Sequence, residues 1–281
     1  MENTRTKTTR NSLILLLTAA IWGMAFVSQS KGMDYMHPFT FNGVRSLIGA
    51  ASILVYILIS RKIAGDKAAP LDWKLNVKAG LLCGIFLTIA STLQQFGIKY
   101  TSVGKAGFIT TLYIIFVPMF GIFLKKKVAP VVWAAAVMAA VGMYLLCMTE
   151  SLRLGAGDIM VFLCAIAFAI QIMTVDHYAA RIDGTVVSCI QFTVCGVVCC
   201  IGALIWGQPT FGQLQEGLGA LLYAGVLSCG VGYTLQIVGQ KGLNPTVAAL
   251  IMSLESVIAT ISGWIAYKIG FLTTDQTLTA R

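Results

Sequence analysis

Apolar positions in this chain run together in long blocks instead of scattering among polar ones. A bilayer core of about 30 Å takes roughly 20 apolar residues of helix. Nine blocks of that kind can be placed, at 12–31, 39–60, 76–99, 103–124, 130–149, 157–178, 185–206, 217–239 and 245–267. Short polar connections separate them, as packed helical hairpins require. The one sizeable polar connection runs from Arg61 to Lys78 and holds Gly65, Pro70 and four lysines. The pattern predicts an all-α membrane protein, a polytopic helical bundle.

Composition agrees with the pattern. Apolar residues make up 57% of the 281, charged residues 11%, and the mean hydropathy is +0.83. Soluble domains carry about 25% charged residues, so this chain lacks the charge to cover a water-facing surface. Arg5, Lys7 and Arg10 precede the first block, an arrangement shared with signal peptides. No small-x-small cleavage site follows in a polar setting, so the block is read as the first membrane helix. The eight cysteines, Cys83, Cys147, Cys164, Cys189, Cys195, Cys199, Cys200 and Cys229, lie in or beside apolar blocks without metal-ligand spacing. They are expected to be small packing residues, with no disulfide framework.

Basic residues set the orientation. With the N-terminus in the cytoplasm, thirteen Lys and Arg fall on the inner side and six on the outer. That bias matches the positive-inside rule, predicts a multi-pass protein of the cytoplasmic membrane with its N-terminus inside, and is strongest in the first half. The net charge of +9 therefore calls for no nucleic acid partner.

The chain also repeats itself. A shift of 142 residues places Thr92-Leu93-Gln94 on Thr234-Leu235-Gln236, Lys99 on Lys241, Ala106 on Ala248, Leu112 on Leu254 and Gly121 on Gly263. The shift spans five helices, an odd number, so the second copy must enter the membrane from the opposite side. Two inverted five-helix repeats follow, 1–150 and 151–281, able to rock between outward-open and inward-open states. The helix at 130–149 should recur beyond the polar stretch Leu272 to Arg281, so the tenth helix is expected to be missing from this chain.

Three motifs carry a family resemblance. Ala20-Ile21-Trp22-Gly23-Met24-Ala25-Phe26 resembles the first-helix signature of the drug/metabolite transporter (DMT) superfamily, EamA type. Pro38 followed by Arg45 is similar to that family's second-helix pattern, as is Ser253-Leu254-Glu255-Ser256-Val257-Ile258-Ala259 with Gly263-Trp264 to its ninth. The sequence departs from the family at Ser256, where proline is frequent, and in lacking the helix after Gly263-Trp264. The resemblance implies ten helices in two inverted halves around a central cavity, and export of amino acids or related small metabolites.

Two ionisable residues sit well inside the apolar blocks, Arg45 and Glu255. A charge at mid-membrane costs about 2.5–3.5 kcal/mol on insertion scales, which makes each a functional candidate. A buried carboxylate could exchange protons with substrate or bind an ammonium group, and an arginine could hold a carboxylate in a fork. Each could equally be a structural partner, and Arg45 could snorkel to the outer interface. Uncharged candidates for the substrate cavity are Trp22, Gln171, Gln191 and Tyr233, together with the repeat-related Gln94 and Gln236. Tyr113 occupies the position equivalent to Glu255, and Gln191 falls roughly where Arg45 does. Interhelical hydrogen bonding is the alternative role for each glutamine. Pro118 could kink the fourth helix near Tyr113, and Pro245 could start the ninth.

No GxxxxGK loop is present, so no ATPase drives transport from within this chain. No cofactor or metal is expected; His37 and His177 are predicted on opposite faces. Asp176, His177, Arg181 and Asp183 form the only cluster suited to an enzyme site, and a solvated helix end accounts for it. The expected partners are a small-molecule substrate and membrane lipid, with a homodimer left open. Efflux of lipophilic cations is the alternative activity, and a membrane-embedded enzyme the remote one.

Overall fold

The computed structural model describes residues 2–65, 71–124 and 155–273, with individual positions between 130 and 141. Among the described residues it is all helix, and eight helices are long and apolar enough to cross a membrane. We label them α1 (Lys7–Gly32, extending back to Glu2), α2 (Pro38–Ala64), α3 (Trp73–Ile98), α4 (Val103–Phe123), α5 (Ala156–Tyr178), α6 (Gly184–Gly207), α7 (Leu218–Gln240) and α8 (Pro245–Lys268). Eight of the nine apolar blocks are thus found as helices. The block at 130–149 lies largely outside the described residues.

Each helix begins where local chemistry favours it. His37 accepts a hydrogen bond from Phe39 N just ahead of Pro38, whose missing N–H costs a first helical turn nothing. Asp72, Ser102, Asp183 and Asn244 cap α3, α4, α6 and α8 in the same way, each side chain accepting from a first-turn N–H. Asp183 is therefore a helix cap, which accounts for the acidic cluster around His177.

Contacts between helix ends define two faces of the bundle. On one, Asn11 of α1 donates to Lys241 O at 2.7 Å, Asp183 N donates to Asn76 at 2.9 Å, and Lys241 Nζ donates to Ile182 O at 3.3 Å. On the other, the His37 ring meets Phe96 edge-on at 5.5 Å, Phe39 stacks on Trp206 at 5.5 Å, and Lys105 pairs with Asp158. His37 and His177 accordingly sit on opposite faces.

Without a hydrophobic force between helices in lipid, association depends on close fit and on interhelical hydrogen bonds. A Cβ on Gly97 of α3 would lie 2.8 Å from Gly157 O of α5, and one on Gly157 would lie 2.9 Å from Gly97 O. Gly239 of α7, 142 residues on from Gly97, approaches α1 in the same manner: its Cβ would meet the Leu15 side chain at 2.8 Å and Asn11 O at 3.2 Å, as that of Gly97 meets Val161 and Gly157 O. The main packing pairs follow the same exchange. The α3–α5 contact corresponds to α7–α1, α3–α6 to α7–α2, and α1–α8 to α5–α4, while α2–α6 and α4–α8 map onto themselves.

Two helices are broken partway along. α4 breaks at Leu112, between Val103–Thr111 and Tyr113–Phe123, and α8 breaks at Ser253–Leu254, between Pro245–Met252 and Glu255–Lys268. Leu112 and Leu254 coincide under the shift. Hydroxyls bond back to the backbone at both breaks: Thr111 to Phe108 O, Ser253 to Leu250 O and Ser256 to Ser253 O. In α7 the segment Tyr223–Gly232 widens into a π-helix, a form frequent at functional sites. Large apolar side chains such as Leu58, Ile63, Ile85, Phe123 and Leu204 cover the outside of the bundle.

Candidate functional site

A narrow cavity lies between the helices, walled by residues from all of α1 to α8. Its water-reachable space is about 30 Å³, room for about two water molecules at roughly 10–15 Å³ each. That space is too small for a metabolite as it stands.

Eight of the nine residues singled out from the sequence line this cavity: Trp22, Arg45, Gln94, Tyr113, Gln171, Tyr233, Gln236 and Glu255. Gln191 does not. It lies fully buried behind the wall and accepts a hydrogen bond from Gln171 Nε2 at 3.4 Å.

Arg45 is held in place rather than snorkelling outward, and only 5% of it is exposed. Asn42, one turn earlier on α2, accepts from Arg45 Nε at 2.9 Å and itself donates to Ser91 O at 2.8 Å. The guanidinium also lies over the Phe41 ring at 5.4 Å. This bracing engages Nε and leaves the terminal nitrogens without a hydrogen bond to a protein group. Glu255 is the first residue after the α8 break and 3% exposed. Tyr113, the first residue after the α4 break, donates to its Oε1 at 3.1 Å. The two helix breaks thus meet through one hydrogen bond across the centre of the molecule. Arg45 and Glu255 do not form an ion pair with each other. Among the described residues neither has an oppositely charged group within ion-pair distance.

An aromatic wall completes the site. Trp22 and Tyr233 lie 4.5 Å apart, and Phe192 meets Tyr233 edge-on at 4.9 Å. Gly232 makes room for the indole, since a Cβ there would sit 2.7 Å from Trp22 Nε1.

Sequence reasoning missed Gln29, Ser46, Ser91, Thr110, Ser228 and Cys229, which also line the cavity. A signal for Ser91 was present. Under the 142-residue shift, four pairs of lining residues coincide between α3 and α7 and between α4 and α8: Leu87 with Cys229, Ser91 with Tyr233, Gln94 with Gln236, and Tyr113 with Glu255. Extending the repeat past 92–121 to its N-terminal side would have found Ser91 from Tyr233. Arg45 breaks the pattern, because Gln191, which falls roughly at its counterpart, does not line the cavity.

Comparison with known proteins places this cavity among transporters. A transporter of Archaeoglobus fulgidus, named as uncharacterized, is 28% identical over 251 residues, covering 87% of this chain and 74% of that one. The uncharacterized transporter YwfM of Bacillus subtilis is 27% identical over 256 residues, covering 90% and 84%. A solved crystal structure superposes with a TM-score of 0.72 over 95% of this chain and 90% of the other, at 17% identity, which speaks for the fold alone. The sequence profile of the EamA-like transporter family matches residues 10–148 and again 155–275. Eight membrane-length helices among the described residues around a narrow shared cavity, with that profile matched twice along the sequence, make this chain a multi-pass membrane protein belonging to the EamA-like transporter family.

Proposed function

We propose that this protein is a secondary transporter that exports small zwitterions, amino acids or related metabolites, across the cytoplasmic membrane by alternating access. The observation that carries this reading is one arginine and one carboxylate, both buried and both on the cavity wall, neither paired with an opposite charge. The terminal nitrogens of Arg45 match a substrate carboxylate as a two-point fork. Glu255 matches the ammonium group. A ligand carrying both charges neutralises both residues at once, which offsets the cost of keeping them in the membrane.

The halves 1–150 and 151–281 are proposed to rock as inverted repeats, with the N-terminus in the cytoplasm. Four coincident pairs of lining residues and the exchange-related helix contacts support this. Helix breaks at equivalent positions supply two hinges at the level of the substrate. The Tyr113–Glu255 hydrogen bond ties those hinges together. An ammonium at Glu255 competes for that oxygen, so substrate binding acts where the helices bend. Glu255 is also the group proposed to exchange a proton for substrate.

Flux of labelled amino acids into and out of proteoliposomes, with and without a pH gradient, tests the reading. Amino acid flux that rises with the gradient and is lost in Glu255→Gln is the expected result. Gradient-driven flux fully retained in Glu255→Gln removes Glu255 from proton exchange. The aromatic wall of Trp22, Tyr233 and Phe192 would also suit a lipophilic cation. Arg45 on the same wall opposes that, and flux of such cations without amino acid flux would replace the proposed substrate class.

A further inference from the structure

Four buried glutamines line this cavity, Gln29 on α1, Gln94 on α3, Gln171 on α5 and Gln236 on α7. Gln94 and Gln236 coincide under the 142-residue shift.

The set is not satisfied internally. Gln236 Nε2 donates to Gln171 Oε1 at 3.2 Å, Gln171 Nε2 donates to Gln191 Oε1 at 3.4 Å, and Gln94 Nε2 donates to Thr110 Oγ1 at 3.3 Å. The Oε1 atoms of Gln29 and Gln236 have no partner, although these residues are only 4% and 1% exposed. A buried acceptor without a donor is unfavourable, and a ligand donor relieves it. Turning all three amides of the Gln236–Gln171–Gln191 chain by half a rotation reverses every bond in it. Gln236 then carries an unpaired NH₂ in place of an unpaired carbonyl. A neutral group that both donates and accepts fits either setting. An alkyl group fits neither, and a third charge finds no counter-charge on the wall.

We propose that these four glutamines form the side-chain subsite of the transported molecule. They select zwitterions whose neutral side chain carries a hydroxyl or carboxamide over those with an alkyl side chain. This rests on the zwitterion reading above. The test compares near-isosteric labelled pairs in proteoliposomes, asparagine against leucine and threonine against valine. The wild-type protein is expected to favour the polar member of each pair by about fivefold or more, the worth of one or two neutral hydrogen bonds. Gln236→Met, and separately Gln29→Met, should bring both ratios close to one whatever the absolute rate; the second variant decides if the first does not fold. Wild-type ratios near one, or ratios unchanged in both folded variants, overturn the subsite while zwitterion transport stands. Absence of flux for every zwitterion, with lipophilic cations carried instead, overturns both.

Discussion

Asp158, at the start of α5, offers the sharpest test of how one face of the bundle is held shut. Its carboxylate accepts from Lys105 Nζ at 2.6 Å, from Thr101 Oγ1 at 2.9 Å and from Gly155 N at 2.9 Å. Lys105 belongs to α4 and Thr101 to the turn before it, so the cluster pins α4 and its turn to α5. Exposed ion pairs contribute about 0–1 kcal/mol, whereas breaking a buried pair costs about 3–5 kcal/mol. Here the acid is 4% exposed and the lysine 20%, which keeps the ammonium in touch with water after the acid is removed. Asp158→Ala is therefore expected to cost about 2–3 kcal/mol, between those limits. Asp158→Asn keeps the shape and should cost less. Combined with Lys105→Met in a double-mutant cycle, it should show a coupling of about 1–2 kcal/mol. Reversible unfolding in mixed micelles, followed by far-UV dichroism, measures each corner of the cycle. A coupling below about 0.5 kcal/mol would refute the reasoning, since the two residues would then act independently.

Further outcomes follow from the same geometry. Gly97→Ala forces a Cβ against Gly157 O and should lower stability by about 1–3 kcal/mol, whereas Gly219→Ala, with open space at its Cβ, should leave the melting temperature unchanged. Arg45→Lys loses the two-point fork and should raise the KM for a zwitterion more than it lowers the maximal rate; equal effects on both would point to a purely structural Arg45. His37, between α1 and α2, is pushed below its ordinary value of 6.5, first by burial and then by Lys99 nearby. Its Nδ1 caps α2 in the neutral form, so that contribution is complete above pH 6.5 and is lost as pH falls through the depressed value. Lys99→Met should move the His37 titration, followed by NMR, upward towards 6.5.

Much of the architecture was legible because lipid imposes a simple demand. Every backbone N–H and C=O in the hydrocarbon must be satisfied within the segment, so a block of about 20 apolar residues has little choice but helix. The block boundaries, the capping residues before α3, α4, α6 and α8, and the rarity of buried charge at Arg45 and Glu255 are all local properties that a sequence displays. The sequence suggested a repeat for a related reason, because Gln94 and Gln236 or Lys99 and Lys241 are costly residues and their recurrence at one spacing is informative.

Convergence was a different matter. Arg45 and Glu255 lie far apart in the chain, and nothing in either neighbourhood states that their side chains share a wall. That is decided by close approaches such as Gly97 against Gly157, which set the distance between helices. Gln191 shows the reverse. It has the same chemistry as Gln171, yet the packing of α6 leaves it off the cavity wall and hydrogen-bonded to Gln171 instead. The break at Leu112 was legible in part, since Pro118 lacks the N–H to close the turn behind it and a kink near Tyr113 was expected. The break at Ser253–Leu254 was hidden, because no proline marks it. The sequence alone settled that this chain is a membrane bundle, which segments cross, and which residues are too costly to be idle. Only the tertiary structure decided that Arg45 and Glu255 face one cavity unpaired, because side-chain direction depends on helix rotation and packing that no local pattern encodes.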